Sequence, residues 1–276
     1  TRASSGSRHS RVLRLRASRG AAADALAQRH AMIRSTFTER NLHWLFPLPA
    51  LAFVGLLMVF PVLYTGYLSF TNWNLTSGGD PTFVGLRSYA RVLTEPRFLH
   101  ALGRTFLFTG FAVTVEAVLG VACALILHRA FVGKSLAKLL LLLPLVATPV
   151  AVGIVFNLFY DPTIGLLNYV LSSLGLPTGL WISSERTVLA SLVLVDVWQW
   201  TPMITLIVLA GLAGLSEEPV EAARIDGASE WQITWLVTIP MVLPVVLTAV
   251  ILRLIDALKT FDIIFAMTGG GPGYAS

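Results

Sequence analysis

The residues best suited to act on another molecule form a short acidic stretch between two long apolar segments. Positions 216–232 read Ser-Glu-Glu-Pro-Val-Glu-Ala-Ala-Arg-Ile-Asp-Gly-Ala-Ser-Glu-Trp-Gln, with five acids and one arginine. Ser216 can cap a short helix with an acidic first turn, Asp226-Gly227 can form a turn, and Ser229 with Gln232 matches a capping box that starts a second helix. The pattern predicts a helix–turn–helix elbow. Since a plain connection need not be so structured, it indicates a docking element.

Polar groups inside one apolar segment form a second candidate site. Asp196, Trp198, Gln199 and Trp200 lie close together in the segment before the elbow. A carboxylate and an amide can hydrogen-bond the hydroxyls of a sugar while indole rings stack on it. Tryptophan also marks membrane interfaces, so an interfacial belt is an equal alternative.

The segment after the elbow carries charges near its end. Asp256, Lys259 and Asp262 follow one another at intervals of three, so they can share a helix face and pair. Ionisable groups in lipid are costly unless they face protein or water, which makes them candidates for a solute path. A structural ion pair and a path-lining role both remain open. The candidate solute-contacting residues are Asp196, Trp198, Gln199, Asp256 and Lys259.

Other chemistry has little support in the sequence. Gly133-Lys134-Ser135 resembles the end of a nucleotide-binding loop, but the glycine required five positions earlier is His128, so no ATP site is expected in this chain. The five histidines have no metal-ligand spacing, and no Ser–His–Asp set or nucleophile elbow is visible. Cys123 is the single cysteine, which excludes an internal disulfide. We therefore expect no enzyme activity, metal or cofactor in this chain.

Composition indicates a membrane protein. The 276 residues are 55% hydrophobic and 13% charged, which is too few charges to cover a soluble domain. A membrane helix needs about 20 apolar residues. Five predicted spans qualify: 44–68, 105–127, 136–160, 188–212 and 238–258.

The lysines and arginines predict an orientation. With the N-terminus inside, thirteen lie on the cytoplasmic side and five in the outer connections 69–104 and 161–187. Residues 1–43 form a basic tail with nine arginines, which a cytoplasmic anchor explains better than a transit peptide, and 44–276 form the membrane domain. The arginines directly precede a membrane span, so nucleic-acid binding is not expected.

The elbow resembles a known family motif. Glu221-Ala222-Ala223, three residues, Gly227, nine residues and then Val-Thr-Ile-Pro at 237–240 is similar to the EAA loop of ABC importer permeases, and Asp226 completes its common Asp-Gly-Ala form. Three further stretches resemble the carbohydrate-uptake branch, in particular the maltose-type and glycerol-phosphate-type first permease subunit. They are Pro61 with 68–73, 83–86 with Tyr89, and 261–273.

The resemblance implies an all-α polytopic fold, the type I ABC importer transmembrane domain, with 216–240 as its coupling loop. It implies the bacterial inner membrane, a second permease subunit, two ATPase subunits that bind the ATP and Mg²⁺, and an extracytoplasmic solute-binding protein. In such importers the elbow sits in a groove of the ATPase, so the coupling residues carried over are Glu221, Ala222, Ala223, Asp226 and Gly227. The solute would be an oligosaccharide, a polyol or glycerol phosphate.

Two expectations accompany this interpretation. The branch has a further span after the glycine-rich stretch 269–273, so we expect five spans here and a sixth missing from a truncated sequence. The alternative function is a secondary transporter driven by an ion gradient, with Asp196, Asp256 and Asp262 as proton or sodium sites. That alternative leaves the structured acidic elbow unexplained.

Overall fold

The computed structural model describes residues 46–273 except 74, 75 and 77. Helices make up most of this part of the chain. The elements are α1 (Leu48–Ser69), β1 (Thr71–Asn72), β2 (Thr82–Phe83), α2 (Arg87–Thr94), α3 (Pro96–His128), α4 (Lys134–Val146), α5 (Pro149–Phe159), α6 (Leu166–Ser173), α7 (Val188–Ala213), α8 (Glu218–Ile225), α9 (Glu230–Gln232), a π-helical turn (Ile233–Thr238), α10 (Ile239–Ala257) and α11 (Asp262–Thr268).

Four helices are long and apolar enough to cross a membrane: α1, α3, α7 and the continuous helix Glu230–Ala257. They confirm four of the five predicted spans, apart from the start of the first span and the basic tail 1–43, which lie outside the described residues. The third predicted span is wrong as a single helix. It consists of α4 and α5, which meet at a bend of 97°.

A proline accounts for this break. Pro149 begins α5, and its ring disfavours the helical conformation of the residue before it. Thr148 is accordingly extended, with a ψ of 142°, and Ala147 before it is extended as well, with a ψ of 139°. Counted as one span, the bent pair brings the total to five.

The chain divides into two compact units, with the boundary after Ala90. In the first unit β1 and β2 form an antiparallel hairpin in which Thr71 pairs with Phe83. Tyr89 donates a hydrogen bond to the Ser69 hydroxyl at 2.7 Å and its ring packs on Phe70. None of the residues of α1 is buried by the rest of the described chain.

In the second unit, α3, α7 and α10 pack closely because small residues lie at their crossings. A Cβ on Gly120 of α3 would approach Ile204 of α7 to 2.7 Å, and one on Gly211 of α7 would approach Val245 of α10 to 2.8 Å. Alanine, valine, leucine and isoleucine side chains fill the core between these helices. Close backbone approach through small residues is how membrane helices compensate for the lack of a hydrophobic driving force in lipid.

The second half of the broken span packs on α11. A Cβ on Gly153 would lie 2.6 Å from that of Ala266, and Asn157 Nδ2 donates to the Met267 carbonyl at 2.6 Å. Both contacts hold α5 against α11 after the bend.

The connection 161–187, predicted as a long outer loop, has its own internal structure. Asn168 on α6 is buried, and its amide binds the carbonyls of Pro162 and Gly179 and accepts from Trp181 Nε1 at 2.8 Å. The Asp161 carboxylate accepts the backbone N–H groups of Thr163 and Ile164, which lowers its pKa. The connection is therefore a folded cap.

Candidate functional site

The predicted elbow is present, and its turn requires glycine. Helix α8 ends in a Schellman motif, in which the Gly227 N–H binds the Arg224 carbonyl and the Ala228 N–H binds the Ala223 carbonyl, both at 3.0 Å. Gly227 has a φ of +83°, a left-handed conformation that residues with a Cβ adopt at a cost. The Ser216 hydroxyl accepts from the Glu218 N–H at 3.4 Å, although Glu217 occupies the N-cap position.

The second arm begins with the predicted capping box. Ser229 Oγ accepts from the Gln232 N–H, and Gln232 Oε1 accepts from the Ser229 N–H at 2.8 Å. Arg224 Nε donates to Glu230 Oε1 at 3.0 Å across the turn. The elbow angle is therefore held by backbone caps and by one exposed ion pair.

The outer side of the elbow is exposed. Ile225 is 86% exposed, and Glu221, Ala222 and Asp226 are exposed too, while Ala223 is half-buried. Glu221 borders a cavity of about 340 Å³ together with His128 and Arg129 at the end of α3. An exposed isoleucine beside small alanines and carboxylates is a surface suited to packing against another protein.

A cluster of charges lies where α3, α7 and α10 meet. Arg253 of α10 is fully buried, as are Glu116 of α3 and Asp196 of α7. Its guanidinium binds both Glu116 oxygens, with Nε at 2.8 Å and Nη2 at 3.2 Å, and Nη2 also binds Asp196. The planar fork of arginine suits this paired geometry.

The cluster continues toward the surface along α10. Arg253 Nη1 binds Asp256 at 3.4 Å, and Lys259 lies 3.5 Å from the same carboxyl group. The ring of Trp200 covers the guanidinium, 5.1 Å from its carbon, in a cation–π contact. The predicted pairing of Asp256 with Lys259 is present.

Asp262 does not share a helix face with Lys259, so that expectation is wrong. Helix α10 ends at Ala257, and Asp262 lies in the first turn of α11. The turn between the two helices interrupts the three-residue spacing on which the expectation depended.

Gln199 and Trp198 occupy different environments. Gln199 is buried and donates to the Ala147 carbonyl at 3.2 Å, which satisfies a carbonyl at the break between α4 and α5. Trp198 is 43% exposed, and its ring meets the edge of Phe156 at 5.3 Å. Asp196 Oδ1 and Gln199 Oε1 are buried and have no hydrogen-bond partner within the described residues.

The pairing of Arg253 with Glu116 is not visible in the sequence. Both stand out as ionisable residues within apolar segments, but they are 137 positions apart and nothing in their spacing pairs them. Among the described residues no group of three or more histidine, cysteine, aspartate or glutamate side chains is placed to hold a metal ion.

Comparison with protein families shows that residues 116–275 match the family described as "Binding-protein-dependent transport system inner membrane component". The chain is 40% identical over 229 residues to a probable ABC transporter permease protein of Sinorhizobium fredii, covering 83% of this chain and 74% of that protein. It is 37% identical to the trehalose/maltose transport system permease protein MalF of Thermococcus litoralis, covering 87% and 81%.

Other similarities point the same way. The chain is 33% identical to the sulfoquinovosyl glycerol transport system permease protein SmoG of Agrobacterium fabrum, covering 85% and 76%. Among solved structures, a chain of a bacterial alginate ABC transporter in complex with alginate pentasaccharide-bound periplasmic protein matches with a TM-score of 0.70 and 16% identity, covering 84% and 81%. Because the sequence identity is only 16%, this match establishes similarity of fold alone.

Proposed function

We propose that this chain, which belongs to the family of binding-protein-dependent transport system inner membrane components, moves a sugar or a related neutral polyhydroxyl solute into the cell. It is the permease subunit of an ABC importer and not an enzyme. Several relatives are named for sugar or sugar-derivative transport, including trehalose, maltose and sulfoquinovosyl glycerol. Those names support a carbohydrate as the solute.

The observation that carries the proposal is the capped, exposed elbow in a chain whose sequence has no complete nucleotide-binding motif. We propose that Glu221, Ala222, Ala223, Asp226 and Gly227 dock this elbow on a separate ATPase, which binds the ATP and Mg²⁺. The complete importer would contain a second permease subunit, two ATPase subunits and an extracytoplasmic solute-binding protein. Small alanines permit close packing at that interface, and the left-handed glycine sets its angle.

Uptake by the reconstituted importer tests this function. The two permease subunits, the ATPase and the binding protein are reconstituted with proteoliposomes. Radiolabelled trehalose, maltose and glycerol are supplied as solutes. A thermal-shift screen of the binding protein identifies any further solute to be tested. We expect uptake that requires ATP inside the vesicles and persists when ionophores collapse every ion gradient. Uptake driven by a proton or sodium gradient without ATP would instead establish the secondary-transporter alternative.

The charge cluster supports a neutral solute rather than glycerol phosphate. Arg253 could attract a phosphate only through free N–H groups, yet Nε, Nη1 and Nη2 each donate to one or more of three carboxylates and Trp200 covers its face. With Lys259 included, carboxylates outnumber cations by three to two. No excess of positive charge is therefore offered to an anion.

We further propose that Asp196, Trp198, Gln199, Asp256 and Lys259 border the solute path. Asp256 is partly exposed beside the buried cluster, and Gln199 Oε1 is free to accept a hydroxyl. Gln199→Ala and Asp256→Asn should each cost about 1–3 kcal/mol in solute binding or in the transport barrier, because each removes a hydrogen bond to the solute. Unchanged uptake affinity and rate in both variants, at equal complex yield, would remove these residues from the path.

We propose that the basic tail 1–43 and the elbow are cytoplasmic and that the cap 161–187 faces outward, as the charge bias favours. In a Cys123→Ala background, a membrane-impermeant maleimide added to intact cells should label Ser173→Cys in the cap and not Ser229→Cys in the elbow, both exposed positions. Permeabilised cells should label both. The reverse pattern in intact cells would invert the topology.

A further inference from the structure

The elbow is joined without interruption to the buried charge cluster. The helix that starts at the Ser229 capping box runs from Glu230 to Ala257 as one piece. Pro240 lacks an N–H donor, and the π-helical turn adjusts to it, since the Ile239 N–H binds the Thr234 carbonyl five residues earlier. Arg253 lies 24 residues beyond Ser229, a rise of about 36 Å. A displacement of the elbow therefore acts directly on the helix that carries Arg253.

Two kinds of contact attach this helix to its neighbours. Nearer the elbow, Gly211 of α7 admits Val245 of α10, and α7 is in turn packed on α3, where Gly120 admits Ile204. These contacts are apolar and follow the shape of the surfaces. Arg253 lies eight residues beyond Val245, about 12 Å further along α10, and provides the second attachment.

The second attachment is directional. The guanidinium holds two oxygens of Glu116 on α3 and one of Asp196 on α7, and all three side chains are fully buried. Rotation or sliding of α10 by one residue would separate the Arg253 N–H groups from both carboxylates. The buried charges would then be unpaired in an apolar interior. The apolar contacts resist sliding through shape alone, whereas the ion pairs also fix the direction in which the donors point.

We propose that Arg253 is a positioning residue that binds α10 to α3 and α7 at once, so that the three helices move as one body when the elbow is displaced. The inference rests on the proposed function, because it assumes that an ATPase displaces the elbow. It assigns Glu116 and Arg253 to the transmission of movement, whereas the proposed solute path uses Asp196 and residues around it. Without this contact the elbow helix would take Asp256 with it but slip against α3 and α7, and the movement would not reach the solute-contacting residues of α7.

Distance measurements between spin labels test the proposal. Labels are attached to Ala101→Cys on α3 and Leu258→Cys just after α10, both exposed, in a Cys123→Ala background of the complete importer. Double electron–electron resonance is recorded without nucleotide and after trapping with ATP and vanadate. For the unmodified cluster we expect one narrow distance distribution, the same in both states.

The matched variant removes the three fully buried charges and keeps side chains of similar size: Glu116→Gln with Asp196→Asn and Arg253→Met. In this variant we expect the distribution to broaden, or to shift between the two states by about 1–5 Å, the range of helix shifts and one-turn steps. Arg253→Lys is the second variant; it keeps the positive charge and loses the planar guanidinium. It should broaden the distance distribution less than the triple variant does. Thr109→Val removes a buried hydroxyl of α3 that has no partner within the described residues, and should behave as the unmodified protein.

Two results would overturn the proposal. One is a narrow, state-independent distribution in the triple variant or in Arg253→Lys, which would make the cluster dispensable for holding the helices together. The other is a distance in the unmodified cluster that changes between states. Nucleotide trapping is measured separately. If the unmodified importer does not trap nucleotide, the proposed function is contradicted. If it does trap nucleotide but one of these two distance results is found, only the role of Arg253 is contradicted.

Discussion

Gly227→Val and Glu221→Lys are each expected to abolish solute uptake while the permease still inserts in the membrane. Gly227 has a left-handed backbone, which costs a residue with a branched Cβ on the order of 1–2 kcal/mol. A Cβ there would meet none of the described residues within 4 Å, so the strain is confined to the backbone. The chain can relieve it by giving up the Schellman motif, which reorients α8 and moves the docking surface.

Glu221→Lys acts through the interface instead. The Glu221 carboxylate has no ion-pair or hydrogen-bond partner among the described residues, so its reversal should disturb little within the chain. If a cation of the ATPase faces it, a buried like-charge pair replaces an ion pair, at a cost of a few kcal/mol. We expect ATP hydrolysis that loaded binding protein no longer stimulates, or loss of the ATPase subunits during purification.

Glu95→Lys provides the matched control, since it makes the same charge change at the start of α3, far along the chain from the elbow. It should support normal uptake and stimulation. Solute-stimulated hydrolysis and uptake at the unmodified level in both elbow variants would disprove the coupling assignment. Equal loss in Glu95→Lys would attribute the effect to the membrane domain as a whole.

Local patterns carried most of what the sequence could predict. The turn at Gly227 and the Ser229 capping box depend on residues within two helical turns of each other, and four of the five spans depend on continuous apolar runs of about 20 residues; all are present. The broken third span had a local signal too, because Pro149 follows an otherwise continuous apolar run. Hydropathy alone does not distinguish a bent pair from a straight helix, and prolines within α1 and α10 leave those helices intact.

Contacts between distant segments could not be predicted. The sequence predicts Gln199 to be a candidate solute ligand. In the fold its amide also donates a hydrogen bond to the Ala147 carbonyl, 52 positions away, which the sequence does not indicate. Asp196 likewise reads as an isolated acid until α10 brings Arg253 against it. The cost of burying a charge in lipid predicts that each such residue has a partner. It does not identify the partner.

That cost leads to the second large effect: Arg253→Met should destabilise the protein by about 3–5 kcal/mol, because it leaves Glu116 and Asp196 buried without their cation. Replacing all three fully buried charges by neutral side chains, with Glu116→Gln and Asp196→Asn added to Arg253→Met, should recover most of this loss, since no buried charge then remains and Asp256 keeps Lys259 as its partner. Thermal unfolding of the purified complex, followed by fluorescence-detected size exclusion, measures both changes.

Arg224→Met is the control for losing an arginine as such, because its ion pair with Glu230 is exposed on both sides and should contribute no more than about 1 kcal/mol. If Arg253→Met were as stable as Arg224→Met, the buried carboxylates would have to be neutral or hydrated without Arg253. If the triple variant were as unstable as Arg253→Met, the loss would come from missing packing and hydrogen bonds around the guanidinium instead of from unpaired charge. If stability is lost in Arg253→Met and regained in the triple variant, the ion pairs of the cluster fix the register of the three helices that meet there and add little to their stability.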